Sequence, residues 1–471
     1  MKKDNAAFTK APIGRTMIST AVSMLPGTIA ISGYNIADTY FIGQLHDTTA
    51  LAAMGYTFPM IMLVSCVFRG LATGVMATSA QALGGSKQSK AAKLITAGLA
   101  FSFLIALICG ITGVQFIPET FHLFGAKENV MPDIRRYMFV WYLGGTWTAA
   151  LTMTCNDVLM SAGATRIASG MMLAGLMLNV ILDPLFIFGG CGLPAMGIGG
   201  AAWATVLSQG TAATVLLLIL HFRYGFLTPV AFQWRFLKST WSMILRFAVP
   251  GMLGMLLMPI GNSVVVWVLS HFGKEAVAAS AAAGRLEVLA FMFPMALGMA
   301  LMPMVGQNYG ARLYDRINQC RRFAMRFALY FLSGMAVLFF IFAPWMVRFF
   351  SDDPKVVPIM VAYLRIISWG FAMIEIHRYS TFFFTGCGHP NAAMWLNILR
   401  IVGLMIPLSL LALYFRSLNG VFAARFAADL LAGGIAWYCA HRLTRRLLRE
   451  SQKKNPALPD LRTEAEPAVP E

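Results

Sequence analysis

Long apolar stretches dominate this chain of 471 residues and restrict the folds open to it. Hydrophobic residues make up 58% of the sequence and charged residues only 12%, more apolar surface than a soluble core can bury. Runs such as 97–117 and 327–347 reach the roughly 20 residues that an α-helix needs to cross a bilayer. The sequence therefore predicts an all-α integral membrane protein.

About twelve transmembrane helices follow from the spacing of the apolar stretches. We predict six in the first half of the chain, near 15–43, 51–80, 94–117, 136–160, 167–189 and 197–221. Six more are predicted near 241–270, 276–305, 323–346, 356–384, 392–414 and 419–443. The first stretch continues as a long helix without a small-residue cleavage site, so we interpret it as a retained span and not as a signal peptide.

The net charge of +17 does not indicate nucleic-acid binding, because the basic residues fall in alternate loops. Lys and Arg cluster before the first predicted span, between the second and third, between the sixth and seventh, and after the last, whereas the segment 189–197 contains none. This distribution follows the positive-inside rule and predicts that both termini lie in the cytoplasm. The partner it predicts is the lipid bilayer, with no nucleic-acid partner.

The two halves of the chain resemble each other when the second is laid over the first at a constant offset. Gln81 then aligns with Gln307 and Gly84 with Gly310, a correspondence that we call the internal repeat. Since each half contains six predicted spans, we expect two six-helix lobes related by a pseudo-two-fold axis along the membrane normal. The predicted units are a cytoplasmic N-terminus (1–14), an N-terminal lobe (15–222), a cytoplasmic inter-lobe linker (223–240), a C-terminal lobe (241–448) and a disordered cytoplasmic tail (449–471).

Two acidic residues, Asp38 and Asp183, stand inside apolar segments and are the strongest indication of function. A carboxylate at membrane depth costs about 3 kcal/mol even on a lenient insertion scale, so it usually marks an ion, proton or substrate path. Each has an asparagine one turn earlier on the same helix face, Asn35 and Asn179 respectively. Thr205 is predicted at a similar depth from the helical rise per residue. The second half has no acidic counterparts, so the sequence predicts an acidic ion site in the N-terminal lobe alone.

Two carboxylates, an amide and a hydroxyl at one depth offer only hard oxygen ligands and titratable groups. Such a set suits a proton or a sodium ion, with the two aspartates, Asn179 and Thr205 as the ligands, and no other cofactor is expected. Pro184 follows the second aspartate and Pro26 interrupts the first predicted helix. Because each proline removes a backbone donor, both are predicted helix-bend positions.

Four other acidic residues lie near or within predicted spans. Asp429 and Glu375 each have an arginine about one turn away on the same helix, and we interpret both as members of helix-surface ion pairs. Glu287 has no evident partner, and a role facing the cavity stays open beside a structural one. Asp157 lies close to the cytoplasmic end of its predicted span, where we expect it to be solvated.

The order of several motifs resembles that of the multidrug and toxic compound extrusion (MATE) transporters. The motifs are YNIADTYFIG (34–43), SAGATR (161–166), LNVILDPLFIFG (178–189), GIGGAAWATVLSQ (197–209), MVGQNYGAR (304–312) and NGVFAARFAAD (419–429). The acidic pair in the first and fifth helices is similar to that of the DNA-damage-inducible-type bacterial and archaeal subgroup. The resemblance covers essentially the whole chain to about residue 448.

This resemblance implies a transporter and not an enzyme. The expected protein is a monomer of the bacterial inner membrane that exchanges H⁺ or Na⁺ for amphipathic, often cationic, organic compounds by alternating access. Two sets of residues follow: a cation-coupling site of Asp38, Asn179, Asp183 and Thr205, and the neighbouring residues Tyr34, Asn35 and Gln209. A proline of the family's first helix commonly stands where this chain has Ser23, so the resemblance does not fix a bend at Pro26.

Two other functions stay open at the level of the sequence. A lipid-linked precursor flippase of the same superfamily would need a cationic cavity for pyrophosphate, and the arginines predicted deep enough are Arg285, Arg378 and Arg400. An integral membrane enzyme would need a nucleophile–base set or a metal motif within the spans, and the sequence contains no such pattern.

Overall fold

Twelve long helices make up the part of the chain that the computed structural model describes, residues 6–86, 88–190, 192–229, 234–350 and 352–454. The first six are α1 (Ile13–Gly43), α2 (Thr48–Gly84), α3 (Gln88–Gln115), α4 (131–161), α5 (Thr165–Ile187) and α6 (Ile198–Arg223). The second six are α7 (Trp234–Ser270), α8 (Lys274–Gly310), α9 (Tyr314–Arg348), α10 (Val356–Gly386), α11 (Pro390–Tyr414) and α12 (Leu418–Lys454). Short helices over Ala7–Thr9 and Ile117–Leu123 complete the described secondary structure, which includes no strand.

The all-helical membrane architecture predicted from the sequence is confirmed. Ten of the twelve helices are long and apolar enough to cross a membrane, and α1 and α4 complete two sets of six. Outward faces of the helices expose large apolar side chains, among them Ile108, Ile181 and Phe342. Such extensive apolar exposure is typical of a surface in contact with lipid.

Three predicted boundaries differ from the structure by seven residues or more. α9 begins at Tyr314 and not at 323, and α7 begins at Trp234, inside the predicted linker 223–240, of which residues 230–233 lie outside the described residues. α12 continues to Lys454, into the predicted tail at 449–471, whose residues 455–471 lie outside the described residues. The predictions followed hydropathy, and a helix can continue beyond the apolar span wherever polar residues still favour helix.

The helices form an N-terminal lobe (α1–α6) and a C-terminal lobe (α7–α12). In the first lobe α1 packs against α5, α2 against α4 and α5 against α6; in the second, α10 packs against α8, α9 and α12. Across the two lobes, α2 packs against α7 and α8, and α1 packs against α8. α4 and α10 depart from α-helical geometry at equivalent positions of the repeat, with a π-helical turn at Trp141–Gly145 and a 3₁₀ turn at Ser368–Gly370.

A pair of equivalent glutamines joins the lobes at one end of the molecule, which we call the terminal face. Gln81 Nε2 on α2 donates a hydrogen bond to the carbonyl oxygen of Gly386 at the end of α10 (2.9 Å). Gln307 Nε2 on α8 donates to the carbonyl oxygen of Ser161 at the end of α4 (2.7 Å). In this glutamine clamp, each lobe therefore donates one hydrogen bond and accepts the other.

Two glycines allow α2 and α8 to touch beside the glutamine clamp. A Cβ atom at Gly84 would lie 1.9 Å from the carbonyl oxygen of Gln307, and one at Gly310 would lie 1.9 Å from that of Gln81. Either side chain would overlap the backbone of the facing helix. The residues that the internal repeat aligns are thus the residues that close the two lobes on each other.

The segment before α1 binds the opposite lobe at the same face. Phe8 is buried, and its N–H donates to Gln307 Oε1 (3.1 Å). The carbonyl oxygen of Phe8 accepts from Asn308 Nδ2 and from Arg316 Nη2, both at 3.2 Å. Arg316 Nη2 also donates to the carbonyl oxygen of Ala11 (2.5 Å). This N-terminal strap, residues 6–12, ties the beginning of the N-terminal lobe to the C-terminal lobe.

We expect Gly84→Ala and Gly310→Ala to lower the unfolding temperature, because each added methyl group would meet a backbone carbonyl oxygen at 1.9 Å. The matched control is Gly55→Ala in α2, where an added Cβ meets nothing within 4 Å. Since alanine is favoured over glycine in a helix by roughly 0.5–1 kcal/mol, the control should unfold at an equal or higher temperature. Thermal unfolding in detergent measures this difference, and equal midpoints for Gly84→Ala and Gly55→Ala would contradict the contact.

Candidate functional site

Asp38, Asn179, Asp183 and Thr205 come together in one buried cluster on three helices of the N-terminal lobe. On α5, Asn179 Nδ2 donates to Asp183 Oδ1 one turn later (3.2 Å). The same amide lies 3.4 Å from Thr205 Oγ1 on α6. The Thr205 hydroxyl donates to Asp38 Oδ2 on α1 (3.3 Å). The four residues predicted as the cation-coupling site thus form a continuous hydrogen-bonded chain, which we call the carboxylate cluster.

The carboxylate cluster is almost entirely withdrawn from water. Asn179 and Asp183 are fully buried, and Asp38 and Thr205 are 5% and 6% exposed. Three oxygens, Asp38 Oδ1, Asn179 Oδ1 and Asp183 Oδ2, have no hydrogen-bond donor among the described residues. Because a buried carboxylate without a partner is costly, the two carboxylate oxygens are suited to take up a proton, and all three oxygens are suited to coordinate a small cation.

Every other buried acidic side chain in the described residues has an arginine partner. The pairs are Asp157–Arg69 (3.7 Å), Glu375–Arg378 (3.0 Å), Asp429–Arg400 (2.8 Å) and Glu287–Arg425. Asp38 and Asp183 have no basic partner in the same part of the chain. Two carboxylates close together are therefore left with their negative charge unbalanced by the protein.

Tyr34 and Gln209 line the cavity beside the carboxylate cluster. Tyr34 fits there because Gly175 on α5 has no side chain: an added Cβ would lie 2.6 Å from the Tyr34 hydroxyl. Gln209 Oε1 is buried and has no hydrogen-bond donor among the described residues. The side chain of Asn35 lies outside the described residues.

Neither predicted bend position interrupts its helix in this conformation. α1 is continuous through Pro26, and α5 is continuous through Pro184. Beside Pro26, the N–H of Gly27 donates to Ser169 Oγ on α5 (3.0 Å). The backbone at this point of α1 is thus bonded to the helix that carries Asp183.

A cavity of about 380 Å³ adjoins the carboxylate cluster. Five helices of the N-terminal lobe supply its walls, and the C-terminal lobe contributes Met255 and Met299. Seven methionines line the cavity, and these flexible, polarizable side chains adapt to ligands of different shape. The volume lies in the range of small-molecule sites.

Asp157 is buried, so the prediction that it is solvated is wrong. It is 3% exposed and lines the cavity, and its partner is Arg69 on α2. Sequence reasoning missed Arg69, although an arginine between two apolar stretches of one span (CVFRGLATG, 66–74) is a signal that could have identified it. Asn156 also lines the cavity, and its Oδ1 has no hydrogen-bond donor among the described residues.

A second buried polar network lies in the C-terminal lobe, around Glu287. Glu287 accepts hydrogen bonds from the Tyr363 hydroxyl (3.1 Å) and from Arg425. Arg425 also contacts the Tyr363 hydroxyl and lies 4.0 Å from Asp429. Glu287 therefore has partners on two other helices and does not line the cavity described above.

Asp429 and Glu375 each lie near the predicted arginine of the same helix, at 4.0 Å and 3.0 Å, but the prediction that these pairs are at the helix surface is wrong. Asp429 is 2% exposed and Glu375 is fully buried. The shorter contact of Asp429 is with Arg400 on α11, and not with the arginine one turn earlier on its own helix. Three arginines were predicted at membrane depth. Arg378 and Arg400 neutralise buried acids, whereas Arg285 is exposed.

Comparison with known proteins gives one consistent family. The MatE family profile matches this chain twice, over residues 24–185 and 250–411, and the two matches are offset exactly as Gln81 is from Gln307. A Shewanella oneidensis protein named FAD transporter is 32% identical over 441 residues, covering 94% of this chain and 97% of that protein. Multidrug export protein MepA of Staphylococcus aureus is 24% identical over 441 residues, covering 93% and 96%. The solved structure of the Vibrio cholerae MATE transporter VcmN in the bent form has a TM-score of 0.86 at 26% identity, covering 92% and 98%.

We expect Arg425→Gln to destabilise the protein, because it leaves Glu287 buried without its cationic partner. Breaking a buried pair in this way costs about 3–5 kcal/mol. The control is Arg446→Gln in the same helix, where the pair with Glu450 is exposed (side chains 77% and 50%) and contributes about 0–1 kcal/mol. Thermal unfolding of both variants checks this, and a similar shift in the two would contradict a structural role for the buried network.

Proposed function

The chain belongs to the MATE family of membrane transporters, and on this premise we propose that it is a cation-coupled exporter. H⁺ or Na⁺ enters the carboxylate cluster, and this entry drives an organic compound out of the cell through the adjoining cavity. The proposal is carried by one observation: no basic side chain in the described residues balances Asp38 and Asp183. A cation from outside is the missing partner, and because it can also leave, its binding can be coupled to transport.

The coupling step uses two conformations that differ in their affinity for the cation. A cation shifts the equilibrium between them only as far as it binds one better than the other. Uptake at Asp38 changes the charge at the contact of α1 with α5 and α6. α1 also lacks a backbone donor at Pro26, so we propose that the helix bends there and displaces the substrate from the cavity.

We propose that the protein is a monomer of the bacterial inner membrane with both termini in the cytoplasm. The clusters of Lys and Arg before the first span, in alternate loops and after the last span support this orientation. The terminal face is then cytoplasmic, and the glutamine clamp closes the path on that side. Substrate leaves toward the opposite side of the membrane.

Two classes of substrate have support. An amphipathic, often cationic, compound suits the methionine-rich cavity, and the similar protein MepA is named as a multidrug exporter. Flavin adenine dinucleotide is the second candidate, since the relative named FAD transporter is 32% identical against 24% for MepA. Arg69 in the cavity supplies a positive charge of the kind that binds phosphate.

The flippase alternative has less support. Arg378 and Arg400 are paired with buried acids of the C-terminal lobe, and neither lines the cavity. The charged residues that do line it are Asp38, Arg69 and Asp157. The one arginine among them lies beside Asp157, so these residues do not form the cationic cavity that a flippase for lipid-linked pyrophosphate requires.

Asp38→Asn and Asp183→Asn should abolish gradient-driven transport, because an amide cannot take up the proton and binds a cation poorly. Purified protein in vesicles is given a proton or a sodium gradient separately, with ethidium or flavin adenine dinucleotide as cargo. Asp315→Asn, an exposed residue at the beginning of α9, is the control and should transport normally. Normal transport by both cluster variants would contradict the proposed coupling site.

Thr205→Val distinguishes the two coupling ions. A sodium ion needs several oxygen ligands, whereas a proton needs one carboxylate, so loss of the hydroxyl should weaken sodium-driven transport far more than proton-driven transport. Loss of a hydrogen-bond-strength contact to a charge predicts about a tenfold to hundredfold higher half-saturating sodium concentration. Thr205→Ser keeps the hydroxyl and should behave as wild type, as should Thr214→Val at an exposed position of α6. An equal loss in Thr205→Ser and Thr205→Val would contradict a ligand role for the hydroxyl.

A further inference from the structure

The Arg69–Asp157 pair takes no part in the proposed coupling step, and its geometry differs from that of the other buried pairs. Arg69 Nη1 lies 3.7 Å from Asp157 Oδ1, beyond the hydrogen-bonding distance of about 2.7–3.2 Å. In the C-terminal lobe, Arg400 Nε and Asp429 Oδ1 are hydrogen-bonded at 2.8 Å. The Arg69 guanidinium therefore lies near a carboxylate but is not hydrogen-bonded to it.

The arginine is the member of this pair that faces the cavity. Its side chain is 25% exposed against 5% for Asp157, and both residues line the cavity wall. Asn156, beside Asp157, is 4% exposed, and its Oδ1 has no hydrogen-bond donor among the described residues. A ligand here would meet a guanidinium with several N–H donors to spare and an amide oxygen ready to accept a hydrogen bond.

This group lies apart from the carboxylate cluster along the helix axes. α2 runs from Arg69 to its end at Gly84 on the terminal face, whereas α1 runs from its beginning at Ile13 on that face to Asp38. At about 1.5 Å per residue, these two segments are about 22 Å and about 37 Å long, so Arg69 lies about 15 Å nearer the terminal face. A substrate bound at Arg69 and a cation bound at Asp38 therefore do not compete for the same atoms.

We propose that Arg69 is the anion-binding residue of the cavity and takes the phosphate or carboxylate of an amphipathic substrate. Asp157 holds the guanidinium in position, and Asn156 accepts a hydrogen bond from a hydroxyl or amide of the same molecule. The inference rests on the proposed function, since it takes the cavity as the substrate path. It assigns the substrate class as an organic anion, the second of the two classes proposed above.

The chemistry of the cavity agrees with this class. The planar guanidinium matches two oxygens of a phosphate or carboxylate at once. Tyr137 and Trp141 also belong to the cavity wall, and both are largely buried (2% and 3% exposed).

Equilibrium binding of riboflavin and of flavin mononucleotide tests the proposal, because the two differ by a single phosphate group. Binding to the purified protein in detergent is followed by flavin fluorescence, with no ion gradient. The wild-type protein should bind flavin mononucleotide about tenfold to a hundredfold more tightly than riboflavin. Arg69→Gln should lose this preference with its riboflavin affinity unchanged. Arg69→Lys, which keeps the charge without the planar fork, should keep part of the preference.

The control is Arg365→Gln, an exposed arginine of α10, which should keep the full preference. Riboflavin binding by Arg69→Gln reports that the variant is folded; if it does not fold, Arg69→Lys carries the test. The proposal is overturned if wild type binds flavin mononucleotide no better than riboflavin, or if the Arg69 variants keep the full preference. The binding test uses no ion gradient, so failure of the proposed coupling site in transport would leave this result standing.

Discussion

An uncompensated charge is costly at membrane depth, and the two lobes of this transporter meet that cost in different ways. In the C-terminal lobe Glu287, Glu375 and Asp429 each have an arginine partner. These pairs are neutral as a whole, so the lobe can keep one structure whether or not an ion is present. The carboxylate cluster of the N-terminal lobe has no such partner among the described residues. The free energy of this cluster therefore depends on whether the solution supplies a proton or another cation, whereas that of the paired residues in the C-terminal lobe does not.

The internal repeat is preserved where the lobes meet and lost in their interiors. The glutamine clamp and its two glycines occur in both copies, because a contact across a two-fold axis needs both sides. Tyr137 and Tyr363 stand at equivalent positions, yet the first lines the cavity and the second donates to Glu287. The position of Asp38 corresponds to Val264. The carboxylate cluster of the N-terminal lobe thus has no acidic counterpart of Asp38 in the second copy.

The spans and the carboxylate cluster could be predicted because helical geometry is local: residues four apart share a face, and the rise per residue gives depth. Asn179, Asp183 and Thr205 could therefore be assigned to one level without knowing which helices are neighbours. Partners on different helices could not, because depth does not tell which way a side chain points around its helix. For this reason the pairing of Arg69 with Asp157 could not be predicted, and Asp429 was assigned to the arginine on its own helix although Arg400 on α11 lies closer.

α1 is anchored to both lobes, because the N-terminal strap holds its beginning to the C-terminal lobe and Asp38 lies in the carboxylate cluster near its other end. About 37 Å of helix separates the beginning of α1 from Asp38. Because α1 is held at both points, a displacement of Asp38 would either move the N-terminal strap or bend the helix between them. Pro26 lies in this stretch of the helix. The N-terminal strap thus fixes the beginning of α1, and a bulky fusion placed just before residue 6 would disturb the helix that carries Asp38.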